Sequence, residues 1–116
     1  MVTQQTAIRI VKDLAADIRA SGFPLKKAIL FGSYARSQQH TWSDIDLALV
    51  ADEFSGVAPL DLEHFVYVLI GDKKYIDIEP HTFNTDDFEK GNPFVNEIKR
   101  TGIEIFSAEP AHLQAA

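Results

Sequence analysis

"ILFGSYARSQQHTWSDIDLALV", residues 29–50, decides how the chain is read. An apolar run ends in Gly32-Ser33, an arginine and a polar stretch follow, and Asp44 and Asp46 flank one isoleucine at the head of the most hydrophobic segment. Aspartate is depleted in strands and costly to bury. Strand side chains alternate, so Asp44 and Asp46 are expected on one face about 6 to 7 Å apart, with Ile45 and Leu47 turned into the core. Two carboxylates so placed repel: either the strand begins in solvent, or a cation reconciles them. Mg²⁺ prefers oxygen ligands and is commonly held by one or two carboxylates plus substrate phosphates. Two ions about 3.5 to 4 Å apart would fit the span.

The Gly-Ser pair also admits two readings. It is an ordinary turn with a helix cap, or it is an anion site, because a helix that starts directly after a strand leaves its first backbone N–H groups free. In the second reading Gly32 lets phosphate oxygens approach the main chain and Ser33 adds a hydroxyl donor. An anion cradle and a cation-binding acid pair, both at strand ends and separated by a loop and a short helix, together form equipment for a nucleoside triphosphate.

Outward from this stretch, residues 3–21 predict an amphipathic helix capped by Thr3, with Ile8, Val11, Leu14, Ala15 and Ile18 at helical spacing and Gly22 and Pro24 ending it. Residues 27–31 predict a short buried strand, Tyr34 onward a short helix, and residues 45–50 a second strand. Leu60–Ile70 suits a helix, with Asp61 and Glu63 near its positive N-terminal end. Residues 75–79, "YIDIE", alternate as a half-buried strand does; residues 86–90 suggest a helical turn, 93–100 a helix and 103–106 a last strand. The pattern implies one α/β domain over residues 1–116, a small mixed sheet flanked by helices, with 107–116 as a flexible tail.

Composition agrees with a single globular domain: 116 residues, 46% hydrophobic and 24% charged, is enough to bury one core without staples. Zero cysteines exclude disulfides, thiolate metal sites and a cysteine nucleophile. The N-terminus lacks the basic region and apolar stretch of a signal peptide, and no run reaches membrane-spanning length, so a cytoplasmic protein is expected. The net charge of -6 is unevenly spread: residues 1–43 carry six Lys/Arg against two Asp, the remainder five against fifteen Asp/Glu. A surface that tracks nucleic-acid phosphates needs a basic stripe, so no direct nucleic-acid binding is expected.

Gly32-Ser33-Tyr34-Ala35-Arg36 followed by Ser43-Asp44-Ile45-Asp46-Leu47 resembles the G-S-x-A-R-G…S-D-x-D-L signature of the polymerase-β-like nucleotidyltransferases, and in particular the minimal nucleotidyltransferases, small single domains often encoded beside a HEPN-domain partner. The signature covers about 15 residues, and the order of elements is similar across nearly the whole chain. Ser37 departs from it, standing where the family usually has glycine. The resemblance implies a nucleotidyltransferase fold, two Mg²⁺ held by Asp44 and Asp46, and a third carboxylate on a neighbouring strand. Asp77 matches that position best, and Glu79, on the same strand face, is the alternative. Gly32, Ser33 and Arg36 would serve the nucleotide, Arg36 either near the phosphates or as a salt-bridge support for the acids.

The same resemblance implies transfer of AMP from ATP to a hydroxyl acceptor. With no room for an acceptor domain, that acceptor is expected on a HEPN-type toxin partner, a tyrosine hydroxyl being one candidate, which would make the chain an antitoxin. The alternative is a non-catalytic module that neutralises such a partner by occlusion, using its acidic surface and its phenylalanines, among them Phe54, Phe65, Phe83, Phe88, Phe94 and Phe106. His40, His64, His81 and His112 show no metal-ligand spacing and are expected at the surface or in loops, His40 alone being near the site. Tyr34 could stack on a base or cap the core. Trp42 could line the pocket or anchor its loop.

Overall fold

The computed structural model describes residues 2–108. Four strands, β1 (Lys27–Phe31), β2 (Ile45–Ala51), β3 (Ile78–Asn84) and β4 (Ile103–Ser107), form one mixed sheet in the order β3-β2-β1-β4. β1 pairs antiparallel with β2 and β4, while β2 and β3 run parallel, so helical segments must carry the chain from the end of β2 back to the start of β3. This mixed sheet between helices is the α/β architecture expected from the sequence. The strand order could not be read there because nothing in the local pattern states that β4 returns to pair with β1.

Helix α1 (Gln4–Ala20) forms as its spacing predicts: Thr3 caps it, its side chain accepting from the Thr6 N–H, and Ala7, Val11, Leu14, Ala15 and Ile18 are buried along one stripe. They meet Leu30, Ile45, Leu47 and Leu49 on one face of the sheet. Burial of Val11, Leu14 and Ile18 contributes roughly 1.5 to 3 kcal/mol each. The opposite face carries Ile29, Phe31, Ala48 and Val50 against Phe88 of α4 (Thr85–Lys90) and Val95 and Ile98 of α5 (Pro93–Thr101). The central strands are therefore covered on both sides, which explains the nearly unbroken apolar run from Leu47 to Ala51.

Three expected elements beyond the turn after β1 differ. Leu60–Ile70 is not one helix but α2 (Ala58–Asp61), a 3₁₀ turn at Leu62–His64 and α3 (Val66–Ile70), broken at Phe65, whose φ of -145° leaves the helical region. The break lets Phe65 enter the core against Phe54, with ring centroids 5.9 Å apart. The strand expected at Tyr75–Glu79 starts only at Ile78; Lys73–Tyr75 is a 3₁₀ turn, because the buried Tyr75 turns its hydroxyl to donate to the Asp17 carboxylate of α1. β4 continues through Ser107, paired with Lys27, and the Ala108 N–H donates to the Lys26 carbonyl at 2.8 Å, so the tail begins later than position 107. Residues 109–116, the rest of that tail, lie outside the described residues.

Asp61 lies in the first turn of α2 and is a buried anchor, 2% accessible. Its carboxylate accepts from the Ser55 N–H (2.8 Å) and hydroxyl (2.9 Å), the Gly56 N–H (2.9 Å) and the Thr82 hydroxyl (2.7 Å), fastening the loop after β2 and α2 to β3. Burial pushes its carboxyl up, but these hydrogen bonds outweigh that effect and hold it below the ordinary carboxylate range. A depressed native value stabilises the fold above the unfolded group's value near 3.8, and the contribution is lost as pH falls through the native value. We expect Asp61→Asn to cost about 2 kcal/mol in urea unfolding at pH 7, and the difference from wild type to shrink below pH 4.

Candidate active site

The site is built where β1 ends. Phe31 pairs with Asp46 across β1 and β2, and the next residue, Gly32, turns the chain with φ +76°. A Cβ at Gly32 would stand 2.4 Å from Asp46 Oδ2. Only glycine lets the main chain take this conformation against that carboxylate. Residues 32–37 then run as consecutive turns rather than the short helix expected from Tyr34 onward. The Arg36 N–H donates to the Gly32 carbonyl at 3.2 Å and the Gln38 N–H to the Ser33 carbonyl at 2.8 Å.

Ser37 ends the hoped-for helix: its φ of +55° is left-handed, and it occupies the position at which the resemblance calls for glycine. The departure from the signature is therefore one of residue type, with the glycine-like backbone retained. From the start of α1, Gln4 Nε2 donates to the carbonyls of Tyr34 (2.9 Å) and Ala35 (3.3 Å), tying the turns to the helix. The N–H groups of Ser33, Tyr34 and Ala35 precede the turn-closing donors at Arg36, Ser37 and Gln38.

The parallel register of β2 and β3 places the acids. Asp46 pairs with Glu79 and Ala48 with His81, and alternation sets Asp46, Glu79 and His81 on the sheet face that carries α4 and α5. His81 Nε2 lies 3.3 Å from Asp46 Oδ1 and 3.9 Å from Glu79 Oε1. One ligand atom from each lies within 4.8 Å of the others, the only such group of three among the described residues.

Asp44 and Asp77 come one step before their strands, so neither belongs to the pleat that the sequence suggested. They are joined through the backbone, the Ile45 N–H donating to the Asp77 carbonyl at 2.9 Å. Both are exposed, and they share a cleft of about 390 Å³ with Val2, Tyr34, Thr41, Trp42 and Ser43. Burial first, and then the negative charge of Asp77, raises the Tyr34 phenol above its ordinary value.

The sequence-predicted residues thus form two adjoining parts. Gly32 and Asp46 touch, with Ser33 next in the turn, and Asp44 faces the cleft with Asp77; Glu79, the alternative third acid, accompanies Asp46. Arg36 is exposed on the same turn. His81 was missed. It is half-buried on β3 beside Asp46, and the signal was present in Glu79-x-His81, two residues apart on one strand face. His40, the expected neighbour, instead stabilises the loop: its N–H donates to Ser43 Oγ at 2.9 Å and its Nδ1 accepts from the Trp42 N–H at 3.3 Å.

His64 packs on Phe23, and His112 lies outside the described residues. Tyr34 caps the core at 3% accessibility, whereas Trp42 stands 86% exposed at the rim of the cleft and anchors nothing. The donor set, carboxylate oxygens supported by one imidazole beside a main chain stripped of its Cβ, fits a divalent cation with Asp46 as the central ligand. Among the described residues no helix is long and apolar enough to cross a membrane.

Residues 16–111 match the family model described as Polymerase beta, Nucleotidyltransferase. No curated protein is significantly similar in sequence. Three solved structures share the fold. A protein from Sulfolobus solfataricus, assigned as a nucleotidyltransferase, is 19% identical, with 90% of this chain and 84% of that one aligned at a TM-score of 0.56. A toxin–antitoxin structure with AMP-PNP is 19% identical over 84% and 74% of the two chains, TM-score 0.54. A mutant of the toxin–antitoxin MntA-HpeT, with glutamate replacing aspartate at two positions two residues apart, is 17% identical over the same shares, TM-score 0.53.

Two substitutions test the turn. Gly32→Ala should cost about 2 kcal/mol or more in chemical denaturation, the left-handed backbone and the contact with Asp46 both opposing a methyl group. Ser37→Gly should instead raise stability, by up to about 1 kcal/mol, because it removes the penalty of a side chain at positive φ.

Proposed function

Because the chain belongs to the polymerase-β nucleotidyltransferase family, we propose that it is a Mg²⁺-dependent enzyme that transfers AMP from ATP to a hydroxyl on a HEPN-domain toxin, acting as the cytoplasmic antitoxin of the pair. The observation that carries this reading is the contact between Gly32 and Asp46, which supports a phosphate site on the turn next to a cation site at the carboxylate. The toxin–antitoxin structures that share its fold, one of them with AMP-PNP, support the choice of partner and donor.

In this reading the N–H groups of Ser33 to Ala35 and the Ser33 hydroxyl hold the β and γ phosphates, and Arg36 adds positive charge at their outer side. Asp44, Asp46 and Asp77 would hold Mg²⁺, with Glu79 as the alternative third acid; when bound, the ion would supply positive charge for the triphosphate and ease deprotonation of the acceptor hydroxyl. Asp77, exposed at the mouth of the cleft, takes the acceptor's proton. The acceptor oxygen forms a bond to the α phosphorus, the bond from that phosphorus to the bridging oxygen breaks, and pyrophosphate leaves with the electron pair. Trp42 offers an exposed ring at the rim for the base.

Occlusion without chemistry has one observation in its favour: Tyr67, Ile70 and Ile76 are 83%, 71% and 82% exposed, apolar surface that suits a partner. The two readings separate on one variant. Asp44→Asn should lower pyrophosphate release from ATP and Mg²⁺, measured with the purified HEPN partner, by at least about a hundredfold, and mass spectrometry should no longer find the partner heavier by AMP. Unreduced transfer would remove the mechanism, and full protection against the toxin by the inactive variant would favour occlusion.

A further inference from the structure

Three carboxylates explain a Mg²⁺ site, but they leave His81 unexplained. Its ring is fixed between aromatic neighbours, with centroids 4.9 Å from Phe31 and 6.2 Å from Phe94, and those two rings also touch each other, 5.7 Å apart. This wall directs Nε2 at Asp46 Oδ1 and Glu79 Oε1 together, at 3.3 and 3.9 Å. Adjacent donors bound at about 2.0 to 2.2 Å to a common ion stand roughly 3 to 3.6 Å from one another, a spacing that His81 Nε2 and Asp46 Oδ1 already have, and all three ligand atoms lie within 4.8 Å of one another.

An imidazole nitrogen adds little to a hard all-oxygen Mg²⁺ site, whereas first-row transition dications gain strongly from it. Two of its three members are only partly exposed, the His81 and Asp46 side chains being 29% and 27% accessible, while Glu79 is open to solvent at 54%.

We propose that Asp46, Glu79 and His81 form a mixed nitrogen–oxygen site for a first-row transition dication, sharing Asp46 with the acids at the cleft. The inference rests on the nucleotidyltransferase reading for the role of Asp46, and it adds to that reading which metal class the second position takes. Asp44 and Asp77 remain the oxygen side of the centre, suited to Mg²⁺. His81 thereby sets the metal preference.

Co²⁺ is the probe, followed by calorimetry and visible absorption, with Mg²⁺ as the comparison. The wild type should bind Co²⁺ at least tenfold more tightly than His81→Ala and Glu79→Gln do, while the Mg²⁺ affinity of His81→Ala stays within about threefold of wild type. Equal Co²⁺ affinity in His81→Ala and wild type would overturn the proposal. If the His81 variant does not fold, the imidazole resonances of the wild-type protein decide: substoichiometric Co²⁺ should shift or broaden those of His81 first, and His81 resonances left unmoved while others respond would overturn it. Mg²⁺-dependent transfer by the wild type that is lost in Asp44→Asn leaves the enzymatic reading intact whatever Co²⁺ does, so the two ideas fail separately.

Discussion

The structure turns on one close approach: the main chain at Gly32 lies against the Asp46 carboxylate with no room for a Cβ between them. The turn that follows β1 takes its position from that contact. It fixes where β1 stops, because a left-handed residue there ends the strand and throws the chain into the turns of residues 32–37. It also sets the start of that turn against the acid end of β2. A carboxylate and a row of amide donors side by side have opposite preferences for ligand charge, and an anion carried with its cation satisfies both.

The sheet behind the site supplies rigidity. β1 and β2 are the central pair, covered on both faces, so the end of β2 that carries Asp46 cannot shift without disturbing Ile45 and Leu47 in the core beneath it. β3 brings its own residues by parallel register, Glu79 opposite Asp46 and His81 two positions further. Asp61 holds that strand from the side, its four hydrogen bonds linking Thr82 to the loop that follows β2. The result is a firm floor of strands with a softer rim, where Asp44, Asp77 and Trp42 remain exposed and free to respond to what enters the cleft.

Much of this was legible in the residues alone. Thr3 and the apolar stripe announced α1, and the apolar runs of β1 and β2 with Gly-Ser between them announced the strand–turn–strand frame. What could not be read were the places where a distant contact overruled local pattern. Residues 75–79 alternate as a strand should, yet Tyr75 is drawn into α1's territory by Asp17, and the strand waits until Ile78. Leu60–Ile70 has helical spacing, yet Phe65 leaves it for the core. His81 gains its meaning only from the fold, because its partner Asp46 lies on another strand, 35 residues away. Ser37 looked like a blemish in a motif, and its backbone shows that the conformation was kept although the residue was not.

The bond from Gln4 to the carbonyls of Tyr34 and Ala35 has an effect beyond tidiness. It makes the opening turn of α1 a buttress for the segment assigned to grip the triphosphate. Fraying at that end of the helix, whether from a fused tag, a clipped terminus or a partner pulling on it, would therefore slacken the grip without altering any residue that meets the nucleotide.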